Sequence, residues 1–379
     1  MEASSANRTN LARARKFLDR AALIDGHNDL PYVIRTDRDA AGDVARFGLR
    51  RNLPGRDTDI PKLRNGRVAA QFFAAYVPPG EPRPASFALQ QIALVRQMAR
   101  LHDDVFLFAT RAADVARARR LGRIAAFLTI ENGAAIEGRL DTLAAFRDLG
   151  VSLMTLCHNA TTDWCDSATD APRHGGLSAF GKTVIAEMNR LGLIVDLAHV
   201  APSVMHQALD ISAAPVVWSH SNARKLCDHP RNVPEDVLDR VAAGGGVVMA
   251  TFVPDFISEA SRVWTQPFKD EWGKTRADIK GGVDKAIAAR AKKAGPWPRG
   301  NLSQLCDHLD YLRVRIGADH VGIGSDFFGG PQGEGLEDAA CFPAIFAELM
   351  TRGWSEDDLE KLAGANLLRV MREVEKAAG

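Results

Sequence analysis

The chain has few cysteines and no long apolar segment. Its five cysteines, Cys157, Cys165, Cys227, Cys306 and Cys341, are scattered and form no Cys-x-x-Cys pair. This spacing suits neither a disulfide framework nor a structural zinc site, so reduced thiols are expected. No apolar run reaches about 18 residues, the length that a membrane-spanning helix requires. The N-terminal region also lacks the apolar core of a secretory signal, and we therefore expect a soluble, cytoplasmic protein.

A charge bias and several catalytic motifs are also absent. The net charge is +1, from 48 basic and 47 acidic residues that are mixed along the chain. Neither a nucleic acid nor a membrane surface is therefore an expected partner. The sequence has no Gly-x-Ser-x-Gly, Walker A or His-Glu-x-x-His motif, and no Gly-x-Gly-x-x-Gly follows the first apolar run. These absences disfavour nucleophilic-serine and nucleotide-dependent chemistry.

What the chain does contain is a regular alternation of apolar runs and helical patterns. Predicted strands cover 21–26, 68–77, 123–130, 151–157, 193–198, 215–219, 245–252 and 320–325. Helical patterns cover 8–20, 86–102, 140–149, 181–191, 202–210, 234–243, 302–316 and 355–375. Near-continuous apolar runs are typical of parallel strands that are covered on both faces. About eight strand–helix units predict an α/β fold, a single (β/α)₈ TIM barrel over residues 1–379.

Two predicted connections are long. Residues 30–66 follow the first strand, and residues 253–301 follow the seventh. Both leave from the C-terminal ends of strands, where barrels build their sites, so they could form lids or substrate walls. Surface elaborations or oligomer contacts explain them equally well.

Most predicted strands end at a residue that can bind a metal or carry a proton. His27 and Asp29 follow the first strand, and residues two apart in an extended chain point the same way. The other strand exits contribute Glu131, His158, His199, His220 and Asp326. Imidazoles and carboxylates are common zinc ligands. Seven such groups exceed the three or four protein ligands of one zinc ion, so two metals sharing a carboxylate are favoured. Glu131 is the natural bridge.

Other residue patterns leave alternatives open. A lone buried histidine such as His158 is usually a hydrogen-bonded core residue, and Arg231 in a turn rich in proline and asparagine is typical of a surface charge. Six further histidines lie away from strand exits or precede a strand, and we expect no metal role for them: His102, His174, His206, His229, His308 and His320.

Eight short blocks of sequence are distinctive in combination. They include Asp-Gly-His-Asn-Asp-Leu-Pro at 25–31, Thr-Leu-Cys-His-Asn at 155–159, Asp-Leu-Ala-His at 196–199 and Arg-Asn-Val-Pro-Glu-Asp at 231–236. Further blocks lie at 58–63, 219–221, 335–338 and 364–369. Together these blocks resemble the membrane (renal) dipeptidase family, peptidase family M19, and its soluble bacterial members. The resemblance therefore covers nearly the whole chain, from about residue 22 to about residue 372.

This resemblance implies a zinc-dependent dipeptidase on an amidohydrolase-like (β/α)₈ barrel, often a homodimer and often active on L-D dipeptides. His27 and Asp29 would hold one Zn²⁺, and His199 and His220 the other. Glu131 would bridge the two ions. The resemblance also implies that His158 faces the scissile carbonyl oxygen, that Arg231 binds the free carboxylate of the dipeptide, and that Asp326 handles the proton.

The chain departs from the family pattern at three places. It has Asp326-Phe-Phe328-Gly where members usually show Asp-Phe-Asp-Gly, so a carboxylate next to the proton carrier is missing. The common Glu-Gly-Gly reads Glu131-Asn132-Gly133. Glu259 stands where secreted members can have a cysteine that pairs with the one at position 227, which agrees with a reducing compartment.

Two rival functions are compatible with the same barrel. A deacylase or lactonase could use the same metals, but many enzymes of that kind bridge them with a carboxylated lysine after the fourth strand. Here His158 occupies that exit, which favours Glu131 as the bridge. A non-catalytic binding protein is disfavoured because all five ligand positions and the proton carrier are present.

Overall fold

The structure, a computed structural model, describes residues 5–268 and 282–378. Nine parallel strands form one sheet in these ranges: β1 Leu23–Asn28, β2 Val68–Tyr76, β3 Phe106–Phe108, β4 Ile124–Glu131, β5 Val151–Thr155, β6 Ile194–Asp196, β7 Val217–Trp218, β8 Val247–Ala250 and β9 Val321–Ile323.

Helices connect the strands and cover the sheet. They are α1 Ser5–Leu18, α2 Leu30–Thr36, α3 Val44–Phe47, α4 Ile60–Asn65, α5 Pro84–Leu101, α6 Ala113–Arg120, α7 Leu140–Asp148, α8 Ala179–Leu191, α9 Pro202–Ile211, α10 Glu235–Val241, α11 Pro254–Ile257, α12 Glu259–Thr265, α13 Gly282–Ala294, α14 Leu302–Ile316, α15 Phe342–Thr351, α16 Glu356–Glu360 and α17 Asn366–Ala377. Within the described ranges, no helix is both long enough and apolar enough to cross a membrane.

Eight of the strands form a nearly closed barrel, in the order β1-β2-β4-β5-β6-β7-β8-β9. The ends meet where Asn28 bridges Phe327 and where the Ser325 amide donates to the Asp25 carboxylate, 2.7 Å away. The additional strand β3 pairs with the first half of β4, on the edge that β5 occupies farther along. The predicted (β/α)₈ fold is confirmed. The sequence did not predict β3, because three residues are too few for a recognisable pattern.

Packing inside the barrel brings strand exits close together. Phe72 and Phe127 stack with ring centroids 4.6 Å apart. A Cβ atom at Gly324 would lie only 1.7 Å from the carbonyl oxygen of Ser219, so only glycine permits the ends of β7 and β9 to approach this closely. The barrel is therefore narrow where polar side chains follow these strands.

Helix α17 buries one face, as its sequence period predicts. In α17 the buried residues Leu367, Val370, Met371 and Val374 recur at intervals of three and four, which places them on one side of the helix. The helical pattern predicted over 355–375 contains a π-helical turn at Lys361–Ala365 that separates α16 from α17.

The two long connections contain helices of their own. The first holds α2, α3 and α4, and side chains of Asp43 and Asp59 cap the last two. The second holds α11, α12 and α13, and its residues 269–281 lie outside the described ranges. Outside these connections, the sequence analysis also failed to predict the helices α6 and α15.

Candidate active site

The polar groups predicted at the strand exits converge at the C-terminal end of the barrel. Each comes from a different strand exit except His27 and Asp29, which share β1. All seven are buried, and Asp326 is the most exposed at 8%. The members are His27, Asp29, Glu131, His158, His199, His220 and Asp326. Parallel strands bring their carboxyl ends to one face, which explains why residues so distant in sequence meet here.

Glu131, the last residue of β4, lies between two groups of side chains. Its Oε2 atom is 3.7 Å from Nε2 of His27, and its Oε1 atom is 3.0 Å from Nε2 of His199 and 3.6 Å from Nε2 of His220. We call His27, Asp29 and Asp326 the acidic half and His199 with His220 the histidine half. The two oxygens of one carboxylate thus face different halves, as a bridging ligand requires.

The acidic half has the spacing of a cation site. Nε2 of His27 lies 3.7 Å from Oδ2 of Asp29 and 3.9 Å from Oδ1 of Asp326, too far for hydrogen bonds. Two ligand atoms on one tetrahedral zinc ion lie roughly 3.4 Å apart. Both ring nitrogens of His27 and Oδ1 of Asp29 are buried without a hydrogen-bond partner among the described residues. These groups therefore fit a divalent metal ion.

Hydrogen bonds orient the two imidazoles of the histidine half. Nδ1 of His199 lies 3.0 Å from Oδ1 of Asn159, and Nδ1 of His220 lies 2.8 Å from Oγ of Ser219. The Ser219 hydroxyl donates to Asp196, 2.6 Å away, so it accepts from His220. Both rings then carry their proton on Nδ1, and their Nε2 lone pairs face each other at 2.9 Å. A cation bound by both Nε2 atoms would stabilise this arrangement.

The two halves differ in proton affinity. Burial alone would lower the pKa of His27, but the carboxylates of Glu131 and Asp29 raise that pKa well above its ordinary value. Burial, together with the nearby cationic groups, lowers the pKa values of His199 and His220 well below the ordinary range. Burial also raises the pKa of Asp326 to about 7.

Strained backbone marks the same strand exits. Four residues without the freedom of glycine have positive φ angles here: Asn132 at 91°, His199 at 68°, Asp326 at 62° and Phe328 at 69°. Such conformations cost about 1–3 kcal/mol each and persist only where the surroundings impose them. The Phe328 amide, for example, donates to Oδ2 of Asp57 at 2.8 Å. At Phe328, this hydrogen bond therefore offsets part of the backbone strain.

His158 and Arg231 border the carboxylate and histidines. Nε2 of His158 is 3.7 Å from Oε1 of Glu131, and its ring lies 4.7 Å from that of Tyr76. Arg231 is only 2% exposed, so its interpretation as a surface charge is wrong. Its guanidinium donates to Oγ of Ser221 at 3.4 Å and to the carbonyl oxygen of His220 at 3.3 Å, whereas its Nε has no hydrogen-bond partner in the described chain.

The sequence analysis missed the contacts that Asp57, Asn159 and Asn132 make at the site. Asp57 lies in the connection 30–66, and nothing in the sequence shows that its carboxylate reaches the amide of Phe328. Asn159 directly follows His158, a position that could have suggested a role beside a ligand. Asn132, the second departure from the family pattern, caps the amide of Ala134 and donates to the carbonyl oxygen of Val77.

All five cysteines are free thiols, and Glu259 contacts the loop that carries Cys227. Burial raises the pKa of Cys227 to about 12, and its thiol donates to the carbonyl oxygen of Asp255 at 3.1 Å. Glu259 accepts a hydrogen bond from the amide of Asp228 at 3.0 Å, so a non-covalent contact joins the two loops.

Comparison with known proteins extends over nearly the whole chain. Residues 11–379 match the model of the membrane dipeptidase family, peptidase family M19. Dipeptidase 3 of Mus musculus is 34% identical over 363 residues, which cover 93% of this chain and 64% of that protein. The chain thus spans less than two thirds of the length of this relative.

Solved structures share the fold. A probable dipeptidase, PvdM, from Pseudomonas aeruginosa superposes with a TM-score of 0.85 at 24% identity, covering 98% of this chain and 100% of that chain. A metallo peptidase from Rhodobacter sphaeroides, liganded with a phosphinate mimic of the dipeptide L-Ala-D-Ala, superposes with a TM-score of 0.75 at 23% identity. The two chains are covered to 93% and 99% in that superposition.

Proposed function

This chain belongs to the membrane dipeptidase family, peptidase family M19, and on that basis we propose that it is a dinuclear zinc dipeptidase. Its substrates are dipeptides with a free C-terminal carboxylate, L-D dipeptides included. The observation that carries the proposal is the position of Glu131, whose two oxygens face separate ligand groups at 3.0–3.7 Å.

His27 and Asp29 would hold one zinc ion, His199 and His220 the other, and Glu131 both. The unpartnered nitrogens of His27 and the facing Nε2 atoms of the histidine half support this assignment. When bound, the two ions would polarise the substrate carbonyl group and lower the pKa of a nearby water molecule.

Asp326 carries the proton in this proposal. It lies next to His27, yet the five proposed ligands already supply three protein ligands to each of two ions, with Glu131 counted for both. Burial raises its pKa to about 7, close to the pH at which a carboxylate can both accept and return a proton. Asp326 would take a proton from the attacking water and deliver it to the leaving amine.

Arg231 and His158 position the dipeptide. The buried guanidinium of Arg231 has an unpartnered Nε, and an arginine fork matches a carboxylate in a bidentate pair. Arg231 also contacts the backbone of His220, and a guanidinium at this position could bind a carboxylate one residue beyond the scissile bond. His158, beside Glu131, would face the carbonyl oxygen.

A substrate screen tests this function. The full-length protein, metal-depleted and then reconstituted with zinc, is assayed on L-L and L-D dipeptides, dipeptide amides, N-acyl amino acids and lactones. We expect zinc-dependent cleavage of free dipeptides and little turnover of the other classes. Faster turnover of N-acyl amino acids or lactones would instead support a deacylase or lactonase.

Assembly and location are further parts of the proposal. The family resemblance supports a homodimer, which light scattering on the purified protein measures directly. Five free thiols support residence in the reducing cytoplasm.

A further inference from the structure

Two buried carboxylates outside the ligand set lie beneath the candidate centre. Asp25 in β1 and Asp196 in β6 have no exposed surface. In the order of the barrel strands, β1 and β6 are four positions apart, on opposite sides of the barrel. A buried carboxylate is costly unless hydrogen bonds satisfy it, so the donors around each one reveal what it holds in place.

The donors around Asp25 come from its own strand and from both neighbours. Oδ1 accepts from the amide of Ser325 at 2.7 Å and from the amide of His27 at 3.4 Å. Oδ2 accepts from the hydroxyl of Ser325 at 2.6 Å and from the side-chain amide of Gln71 at 2.9 Å. The residue held most firmly, Ser325, immediately precedes Asp326.

Asp196 has the same pattern of donors on the other side of the barrel. Oδ1 accepts from the amide of Ser219 at 2.8 Å and from the amide of Ala198 at 3.1 Å. Oδ2 accepts from the hydroxyl of Ser219 at 2.6 Å and from the hydroxyl of Thr155 at 2.5 Å. Here the serine immediately precedes His220, again a residue of the candidate site.

Both carboxylates lie where backbone pairing in the barrel is thinnest. Strands β6 and β7 share one residue pair, Asp196 with Val217. Among the described residues, the β9 side pairs with β1 only through the isolated bridge of Asn28 with Phe327. By contrast, β2 and β4 pair without interruption from Ala70 to Tyr76. Side-chain hydrogen bonds therefore replace the backbone ladder at the two junctions across which candidate ligands face each other.

We propose that Asp25 and Asp196 are positioning residues, each dedicated to one half of the metal centre. Asp25 holds His27 against Asp326 in the acidic half, and Asp196 holds His199 against His220 in the histidine half. The inference rests on the proposed metal centre. Asp196 exerts the stronger control, because Ser219 connects it to Nδ1 of the His220 ring, whereas Asp25 contacts only the backbone of His27.

Zinc binding to the full-length variants Asp25→Asn and Asp196→Asn tests this division. Competition with a chromophoric chelator gives the number of ions and the affinity of each. We expect each variant to lower the affinity for one zinc ion by roughly 10- to 100-fold and to change the affinity for the other by less than about twofold. The larger loss is expected in Asp196→Asn. Equal weakening of both ions in either variant would overturn the proposal.

Double-mutant cycles assign each carboxylate to its half. The effect of Asp196→Asn should be non-additive with His220→Ala and additive with Asp29→Ala, and Asp25→Asn should show the reverse. Additivity in all combinations would refute the assignment. If an aspartate variant fails to fold, Ser219→Ala and Ser325→Ala remove one hydroxyl each and should show the same selectivity with smaller losses.

A control separates positioning from general stability. Asn366 is buried and donates to the carbonyl oxygens of Ala318 and Val321, at the opposite end of the barrel. Asn366→Ala should lower Tm without changing either zinc affinity, and aspartate variants that behave like it would contradict the proposal. Wild-type protein that binds two ions yet cleaves no dipeptide would defeat the proposed function alone. Wild-type protein that binds fewer than two ions would defeat the centre and this division together.

Discussion

The two halves of the candidate centre are built from different chemistry around one shared carboxylate. In the acidic half, carboxylates surround His27 and raise its pKa well above the ordinary value. In the histidine half, burial and the nearby cationic groups lower the pKa values of His199 and His220 well below it. In the absence of metal, the acidic half therefore binds protons more readily than the histidine half, whose imidazoles favour the neutral form.

This difference has a consequence for metal loading. A metal ligand must be deprotonated before it binds, so an ion entering the acidic half has to displace protons. An ion entering the histidine half finds free Nε2 lone pairs that hydrogen bonds to Asn159 and Ser219 have already oriented. We therefore expect the histidine half to load first and the acidic half to depend more strongly on pH.

The largest expected effect comes from removing the element that the halves share. Glu131→Gln should lower the affinity for both zinc ions, because it removes the negative charge of the carboxylate that lies between the two groups of buried ligands. A loss of about 3–5 kcal/mol corresponds to roughly 10²-fold to several thousandfold in zinc affinity. Elemental analysis and chelator competition measure it, with the exposed Glu334→Gln as a control. Loss of only one ion would show that Glu131 is not a bridge.

Arg231 tests whether the centre acts on a terminal carboxylate. Arg231→Ala should cost about 2–5 kcal/mol in kcat/KM for free dipeptides, much of it from an unpaired buried charge. Arg231→Lys should recover only part, because an ammonium group cannot make the two-point contact. The exposed Lys225→Ala, in the same loop, serves as a control. Dipeptide amides should be nearly unaffected, and equal losses on amides would indicate a structural role.

Asp326 lies in the acidic half but is assigned to proton transfer. Asp326→Asn should retain two zinc ions and lower kcat by roughly 10²-fold or more. In the wild type, kcat/KM should rise with pH as Asp326 ionises, at a pKa below about 7 because bound cations favour the carboxylate. The variant should lose this limb of the profile. Metal loss with little direct effect on turnover would make Asp326 a ligand.

The smallest expected effect concerns the orientation of one imidazole. Asn159→Ala removes the acceptor for Nδ1 of His199 and should weaken only the ion of the histidine half, by roughly 10-fold. Chelator competition on this variant and on Asp29→Ala shows whether the two losses fall on different ions. If Asn159→Ala lowers the affinity for the zinc ion that is assigned to Asp29, the two halves are not independent.

Much of this architecture could be predicted from the sequence. Apolar runs between helical patterns indicate the barrel, and the residue after each run indicates a candidate ligand, because strand periodicity is a local property. The family membership that the sequence blocks such as 25–31 and 196–199 implied is also confirmed. The roles of the individual site residues remain predictions.

The rest depends on contacts between residues far apart in the chain. Nothing local shows that Asp57 reaches the amide of Phe328, or that Asp25 reaches Ser325, 300 positions later. The burial of Arg231 also arises from tertiary packing around a turn whose composition suggests exposure. Short elements such as β3 are stabilised by their neighbours and have little signal of their own.

Calorimetric zinc titration of metal-free protein at pH 6 and pH 8 tests the central claim, two unlike halves sharing Glu131, most directly. Buffers of different ionisation enthalpy give the protons released by each ion. We predict two ions per chain, a tight step that is nearly independent of pH, and a weaker step that releases protons and loses about tenfold or more in affinity per pH unit toward acid. Saturation at one ion, or two steps with the same pH dependence, would contradict it.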